Sequence, residues 1–353
     1  MTRENHAVRN SPLISPQFSG AQAMEDTTNP AAQIQKLRKI HIPTERDHQL
    51  KKHIYRLFEV DSEGQQTAQP CRYTAGQETR GVILIEEPGG GKTTAVRTIL
   101  QEAQFLARNP KTGAPRYLEI QVPSPATLKS VGLTIAGALG IDHFSPNAKV
   151  WEIWATVKQR LGAAGISVLW LDEAQDLIMS RTANEVEESL RMIKSLMQGD
   201  NAVIPILSGT QRLSEVAAFD PQVSRRFTKI MPSNLQHGVD EAGLIAVVEY
   251  YCEEVSIEAR VDADVMARLI TASRHRFGRG IDTIINAIEC ALWGADSILT
   301  VDHFAEAWAM QEACDPSENV FVSDHWLSIH LDAGAAEYNE ARTKRQMKKL
   351  ERV

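Results

Sequence analysis

A chain of 353 residues is long enough for a full α/β domain and a second, smaller one. Its apolar share of 43% is ordinary for a globular protein, and no run of eighteen apolar residues reads as a membrane span, so no membrane partner is expected. A formal net charge of −7 argues against a uniformly basic nucleic-acid binder, but it leaves room for a local basic track. Cys71, Cys252, Cys290 and Cys314 are scattered without a C-x-x-C pair, which reads as reduced thiols rather than a disulfide frame or a zinc site. The first twenty residues lack the continuous apolar core of a secretory signal, so a cytoplasmic location is expected.

Residues 1–33 are polar and weakly periodic and read as a flexible arm. Ile40-His41-Ile42-Pro43-Thr44 follows, then a helix through Leu50, Ile54, Leu57 and Phe58, then a polar loop over 61–79. From Gly81 apolar strands alternate with helices. The strands are Val82–Ile85, Tyr117–Val122, Ser167–Leu171 and Ala202–Leu207. The alternation predicts an α/β core over 34–233, a parallel sheet between helices. After about residue 234 only helical patterns remain: Glu241 to Val255, Asp262 to Ser273, Ile281 to Trp293 and Val301 to Glu312. They predict a small all-helical domain over 234–313, followed by a tail over 314–353 that turns basic from Arg342.

Five motifs carry chemistry. The stretch Pro88-Gly89-Gly90-Gly91-Lys92-Thr93-Thr94, after an apolar strand and before an amphipathic helix, has the character of a phosphate-binding loop. Its glycines let backbone N–H groups face a polyphosphate, Lys92 reaches the β- and γ-phosphates, and the Thr93 hydroxyl suits Mg²⁺. The pattern's first glycine is replaced by Glu86, whose side chain is expected to point away from the nucleotide. Second, Val168–Leu171 runs into Asp172-Glu173. Asp172 suits a water-mediated hold on Mg²⁺, and Glu173 suits polarising an attacking water, which favours hydrolysis over transfer to a second substrate. Third, Ser208, Thr210 and Gln211 close the fourth strand, with Thr210 the first choice to meet the γ-phosphate or the water. Fourth, Arg225-Arg226 ends the core; in a ring or filament either arginine can reach a neighbour's γ-phosphate. Fifth, Arg279, with Arg276 behind it, opens a helix of the second domain and can report on the bound nucleotide.

In this order these elements resemble the AAA+ ATPases over roughly residues 35–313. Ile42-Pro43-Thr44 with Arg46-Asp47, Glu87 through Thr93, Asp172-Glu173-Ala174-Gln175 and Leu207-Ser208-Gly209-Thr210 resemble in particular the TniB/TnsC family of transposition regulators. The resemblance implies a bacterial, Mg²⁺-dependent ATPase that assembles head-to-tail, as a ring or filament, on double-stranded DNA. It implies a link between a target selector of the TniQ/TnsD type and a transposase, with hydrolysis disassembling the complex. The Ile40–Thr44 segment, with Ile42 and Pro43, would then wrap the adenine. Lys111, Arg116, Thr127 and Lys129, around the second strand, would meet DNA phosphates, each contact repeated along the duplex by assembly. The tail would dock a partner, the transposase by analogy, or touch DNA.

Two other classes share parts of this pattern. A replication-initiator or helicase-loader ATPase shares the core but favours a winged-helix domain after the helical one, where about forty residues remain after Glu312. A small-molecule kinase usually carries its lid inserted within the core, whereas the helical pattern here follows it.

Overall fold

The computed structural model describes residues 29–179, 183–214 and 224–331. The first part of the expected arm and the basic stretch from Arg342 lie outside these residues. The chain divides into two compact units. Among the described residues, one holds those of His41–Ser233, and the other joins residues 29–40 to residues 234–331.

The first unit is built on five parallel strands, β3 (Gly81–Ile85), β4 (Tyr117–Gln121), β5 (Val168–Asp172), β6 (Ile204–Gly209) and β7 (Phe227–Ile230), in the order β4-β5-β6-β3-β7. β3, β5 and β6 are buried throughout, as strands covered on both faces must be. Their side chains alternate between two cores with the two-residue period of a strand. Ile83, Ile85, Leu169, Leu171 and Leu207 face one core, which packs on α5 (Leu128–Ala138), α6 (Val150–Ala164) and α8 (Ala183–Leu196). Val82, Leu84, Val168, Trp170, Ile204 and Ile206 face the other, which packs on α2 (Glu45–Tyr55) and α3 (Lys92–Glu102).

Several elements differ from the sequence reading, among them a two-residue parallel pair, Glu258–Ala259 with Ile298–Leu299, inside the region expected to be all-helical. The helix expected to reach Phe58 stops at Tyr55, and Phe58 opens an antiparallel pair, β1 (Phe58–Val60) with β2 (Gln66–Pro70), where a loop is expected. Phe58 is buried on the edge of Phe105, so tertiary packing, not helical periodicity, claims it. β7 is unanticipated: Phe-Thr-Lys-Ile carries two apolar residues only, yet it pairs with β3 in register from Gly81 and Phe227.

The helical unit contains α9 (Glu241–Glu254), α10 (Ala263–Ala272), α11 (Phe277–Trp293) and α12 (Val301–Glu312). Leu244, Val248, Met266, Leu269, Ile284, Ile288, Phe304 and Trp308 are buried. The expected boundary at 33/34 falls inside α1 (Pro30–Leu37), which belongs to this unit. Ile34 and Leu37 are buried, Lys36 pairs with Glu254 at 2.8 Å, and Arg38 with Glu289 at 3.1 Å. The unit also runs past residue 313. Phe321 is buried against the rings of Phe304 and Trp308, and Asn319 donates to the Ala305 carbonyl at 2.8 Å. Among the described residues no helix is long and apolar enough to cross a membrane.

Candidate nucleotide site

Parallel neighbours β3, β5 and β6 end on one side of the sheet, so their C-terminal residues converge there. Ile85 is level with Gly209, and Leu171 with Leu207. The loop of residues 86–91 leaves β3 at that edge, and the Glu86 N–H donates to the Gly209 carbonyl at 2.9 Å. Gly89 and Gly91 have φ of 81° and 99°, a left-handed backbone that favours glycine. Gly91 is the N-cap of α3, so the first-turn N–H groups of that helix, which have no helical acceptor, open beside the loop.

The side chains form a connected network. Lys92 is only 5% exposed, and its Nζ lies 3.0 Å from Glu173 Oε1. Thr93 Oγ1 donates to Asp172 Oδ2 at 2.6 Å. The other Asp172 oxygen accepts from Ser208 Oγ at 2.5 Å and from the Glu173 N–H at 3.0 Å. Ser208 Oγ accepts in turn from Trp170 Nε1 at 2.7 Å. Glu173 stands on a left-handed backbone, φ 54°, and its Oε2 accepts from Gln175 Nε2 at 2.6 Å. Gln175 Oε1 accepts the Thr210 N–H at 3.2 Å. The Thr210 hydroxyl is buried without a hydrogen-bond partner among the described residues.

These features fit a Mg²⁺–nucleotide. The orphaned Thr210 hydroxyl lies on the same network as Glu173 and is available to a phosphate oxygen or a water. Thr93 and Asp172 offer hard oxygen ligands, as Mg²⁺ requires. Among the described residues no cluster of three His, Cys, Asp or Glu side chains could hold a metal alone, so an ion here would complete its shell from phosphate and water. Of the polar strand-end candidates, Thr210 and Ser208 do different things: Ser208 orients Asp172, while Thr210 keeps its hydroxyl open. Sequence reasoning did not anticipate the Trp170–Ser208–Asp172 relay, because indole pairing depends on register.

Glu86 does not lie idle. Its carboxylate meets Arg46 Nη1 at 3.1 Å and 3.3 Å, and Arg46 also donates to the Gly90 carbonyl at 2.8 Å. Burial pushes the Glu86 carboxyl above its ordinary range, only partly opposed by Arg46. Ile42 is buried and Pro43 half-buried just before α2. Pro88 and Thr94 are exposed.

The two core arginines are not equivalent. Arg226 is buried and donates through Nε to Glu78 Oε2 at 2.9 Å. Burial would raise the Glu78 carboxyl, but hydrogen bonds from Thr74 and Arg226 hold it below its ordinary range. Arg225 is exposed. Both precede β7, at the N-terminal end of the sheet, whereas residues 86–91 leave its C-terminal end. Arg276 and Arg279 lie at the start of α11 in the helical unit, where Arg279 opposes the charge of Asp282.

The four candidate DNA contacts fall on the two sides of β4 along the chain. Lys111 and Arg116 precede edge strand β4, and Thr127 and Lys129 follow it, a strand length of about 16 Å apart. Thr127 is the N-cap of α5, accepting from the Ser130 N–H at 2.8 Å, and Lys129 donates to the Pro146 carbonyl at 3.3 Å.

A five-stranded parallel sheet in this order, a glycine loop after β3, an acidic pair after β5 and a helical unit after the core define an AAA+ ATPase fold. Residues 69–237, just under half of the chain, match the family described as bacterial TniB protein. The fold is similar to the Aeropyrum pernix ORC1 protein solved in complex with DNA, at 20% identity and a TM-score of 0.50 over 69% of this chain and 62% of that one. The chain therefore spans about three-fifths of that relative. It is also similar to the Aeropyrum pernix ORC2 protein in its ADPNP–ADP complexes, at 16% identity and a TM-score of 0.51 over 79% and 72% of the two chains. Drosophila ORC bound to DNA aligns at 14% identity and a TM-score of 0.51 over 86% of this chain and 71% of that one. At these identities the likeness is one of fold. No curated protein matches the chain.

Proposed function

We propose that the protein is an ATP-dependent regulator of DNA transposition. It assembles head-to-tail on double-stranded DNA with ATP, links a target selector of the TniQ/TnsD type to a transposase, and is disassembled by hydrolysis. The observation that carries this reading is the TniB match over 69–237, which encloses the glycine loop, Asp172-Glu173, Ser208, Thr210 and Arg225.

In the proposed ATPase, Lys92 and the N–H groups of residues 89 and 91–94 hold the phosphates, with Ile42 and Pro43 against the base. Thr93 and Asp172 would hold Mg²⁺, which when bound neutralises charge on the transferring phosphoryl group. Glu173, oriented by Gln175, accepts a proton from the attacking water, and the Thr210 hydroxyl positions that water or the γ-phosphate. Arg279 is the proposed nucleotide sensor.

Arg225 is the finger in this reading, because Arg226 is committed to Glu78. Arg225 lies on the order of 20 Å along the sheet from the loop of its own subunit, beyond the span of its side chain. That separation favours action on a neighbouring subunit. DNA phosphates would be met by Lys111 and Arg116 on one side of β4, or by Thr127 and Lys129 on the other, and the tail would dock the transposase.

Electron microscopy with ATP and duplex DNA tests the reading: rings or filaments are expected, and monomers alone would sink it. The fold likeness to ORC proteins favours one rival, a replication-initiator or helicase-loader ATPase. Stimulation of strand transfer by a TniB-associated transposase, with no effect on helicase loading, would separate the two.

A further inference from the structure

We infer that Arg46 is a positioning residue for the phosphate loop: paired with Glu86, it holds the Gly90 peptide in the orientation that presents the next N–H to the nucleotide. The inference rests on the proposed ATP site, and it explains why a carboxylate can open that loop.

The Arg46 side chain is only 3% exposed. Its Nη1 donates to the Gly90 carbonyl at 2.8 Å and to both oxygens of Glu86, and its Nη2 lies 3.3 Å from Asp47 Oδ2. A planar guanidinium can serve these acceptors at once; an ammonium on a flexible stem cannot do so in the same geometry. In a trans peptide the C=O of one residue and the N–H of the next point in opposite directions. Fixing the Gly90 carbonyl toward Arg46 therefore turns the Gly91 N–H away from it.

Packing ties the pair to the glycines. A Cβ at Gly90 would overlap the Glu86 carboxylate, and one at Gly91 would lie 3.2 Å from Arg46 Nη1. Glu86 thus occupies room that Gly90 vacates, and the first-position glycine of the usual pattern is replaced by an ion pair. Asp47 keeps the arginine in place from the other side. Its carboxylate closes the start of α2 by accepting the Thr44 N–H at 2.9 Å and the Thr44 hydroxyl at 2.6 Å, and His41 contacts its second oxygen at 2.9 Å. The segment preceding α2 and the phosphate loop are in this way joined through one side chain. Without Arg46, the half-buried Glu86 would lose its ion-pair partner and keep only the field of Lys92 to oppose its charge beside the phosphates.

The test is equilibrium binding of a fluorescent ATP analogue to the full chain, with thermal unfolding measured alongside. Arg46→Lys keeps the charge and the fold but loses the fork, and should weaken binding at least five-fold. Arg46→Ala should weaken it further. Adding Glu86→Gly to either variant removes the carboxylate left without its partner and restores the usual glycine, and should recover most of the lost affinity. A purely structural arginine would show no such recovery. Arg46→Lys binding within two-fold of the parent, or no recovery in the double variants, overturns the inference while leaving the ATP site intact. A parent protein that binds no ATP, like Lys92→Ala, overturns both.

Discussion

Glu173 combines three properties that a hydrolytic base needs: partial exposure, an orienting partner in Gln175 and a fixed backbone. Its left-handed φ of 54° costs an ordinary residue about 1–2 kcal/mol, and the turn from β5 into the following helix retains it. Glu173→Gln should keep ATP binding and lower turnover by at least about 100-fold, read by steady-state phosphate release. Unchanged turnover would remove Glu173 from that role. Ser208 acts one bond further out, through Asp172. Ser208→Ala should weaken Mg²⁺ affinity by about 10- to 100-fold, measured by titrating Mg²⁺ against ATP turnover. At this scale the sequence showed which side chains gather but not how they pair. Lys92, Thr93, Asp172 and Glu173 are legible from spacing. The division of labour between Ser208 and Thr210, and the partnership of Arg46 with Glu86, depend on register and on forty residues of intervening chain, which periodicity does not encode.

At the scale of elements, the start of α2 is the best-defined electrostatic unit. Burial pushes the Asp47 carboxyl upward, but the His41 contact, the Arg46 charge and the Thr44 hydroxyl outweigh it and hold the group well below its ordinary range. A carboxyl depressed by folding contributes stability that is present above its unfolded value, about 4, and lost as pH falls through the folded one. Asp47→Asn should therefore lower the melting temperature at neutral pH, and the gap to the parent should narrow only below about pH 4. A gap that is constant from pH 7 to pH 2 would contradict this account. The buried Glu78–Arg226 pair anchors β7 in the same manner, and Glu78→Ala should cost about 3–5 kcal/mol in chemical denaturation. The helices of the second unit were legible because each keeps a buried stripe. The β1–β2 pair and β7 were not, because short strands with few apolar residues owe their place to neighbours already formed. α1 was hidden for a related reason: Ile34 and Leu37 are too few to set a period, and their burial comes from residues more than two hundred positions away.

For the whole molecule, the proposal turns on a site shared between subunits. Arg225→Ala and Lys92→Ala should each abolish hydrolysis on DNA, and an equal mixture should recover activity at about one interface in four, where an intact loop meets an intact arginine. No recovery at any mixing ratio would rule out the shared site. The polarity of the sheet, with the loop at one end and Arg225 at the other, has an arithmetic consequence on this reading. A line of n subunits holds n − 1 complete sites, and one terminal subunit always keeps its ATP. A closed ring has no such survivor. Specific activity should then climb with the length of DNA offered and level off, and short duplexes should be the slowest to clear. The protein would measure its own assembly at one end, leaving a nucleotide-bound subunit there as the last to dissociate.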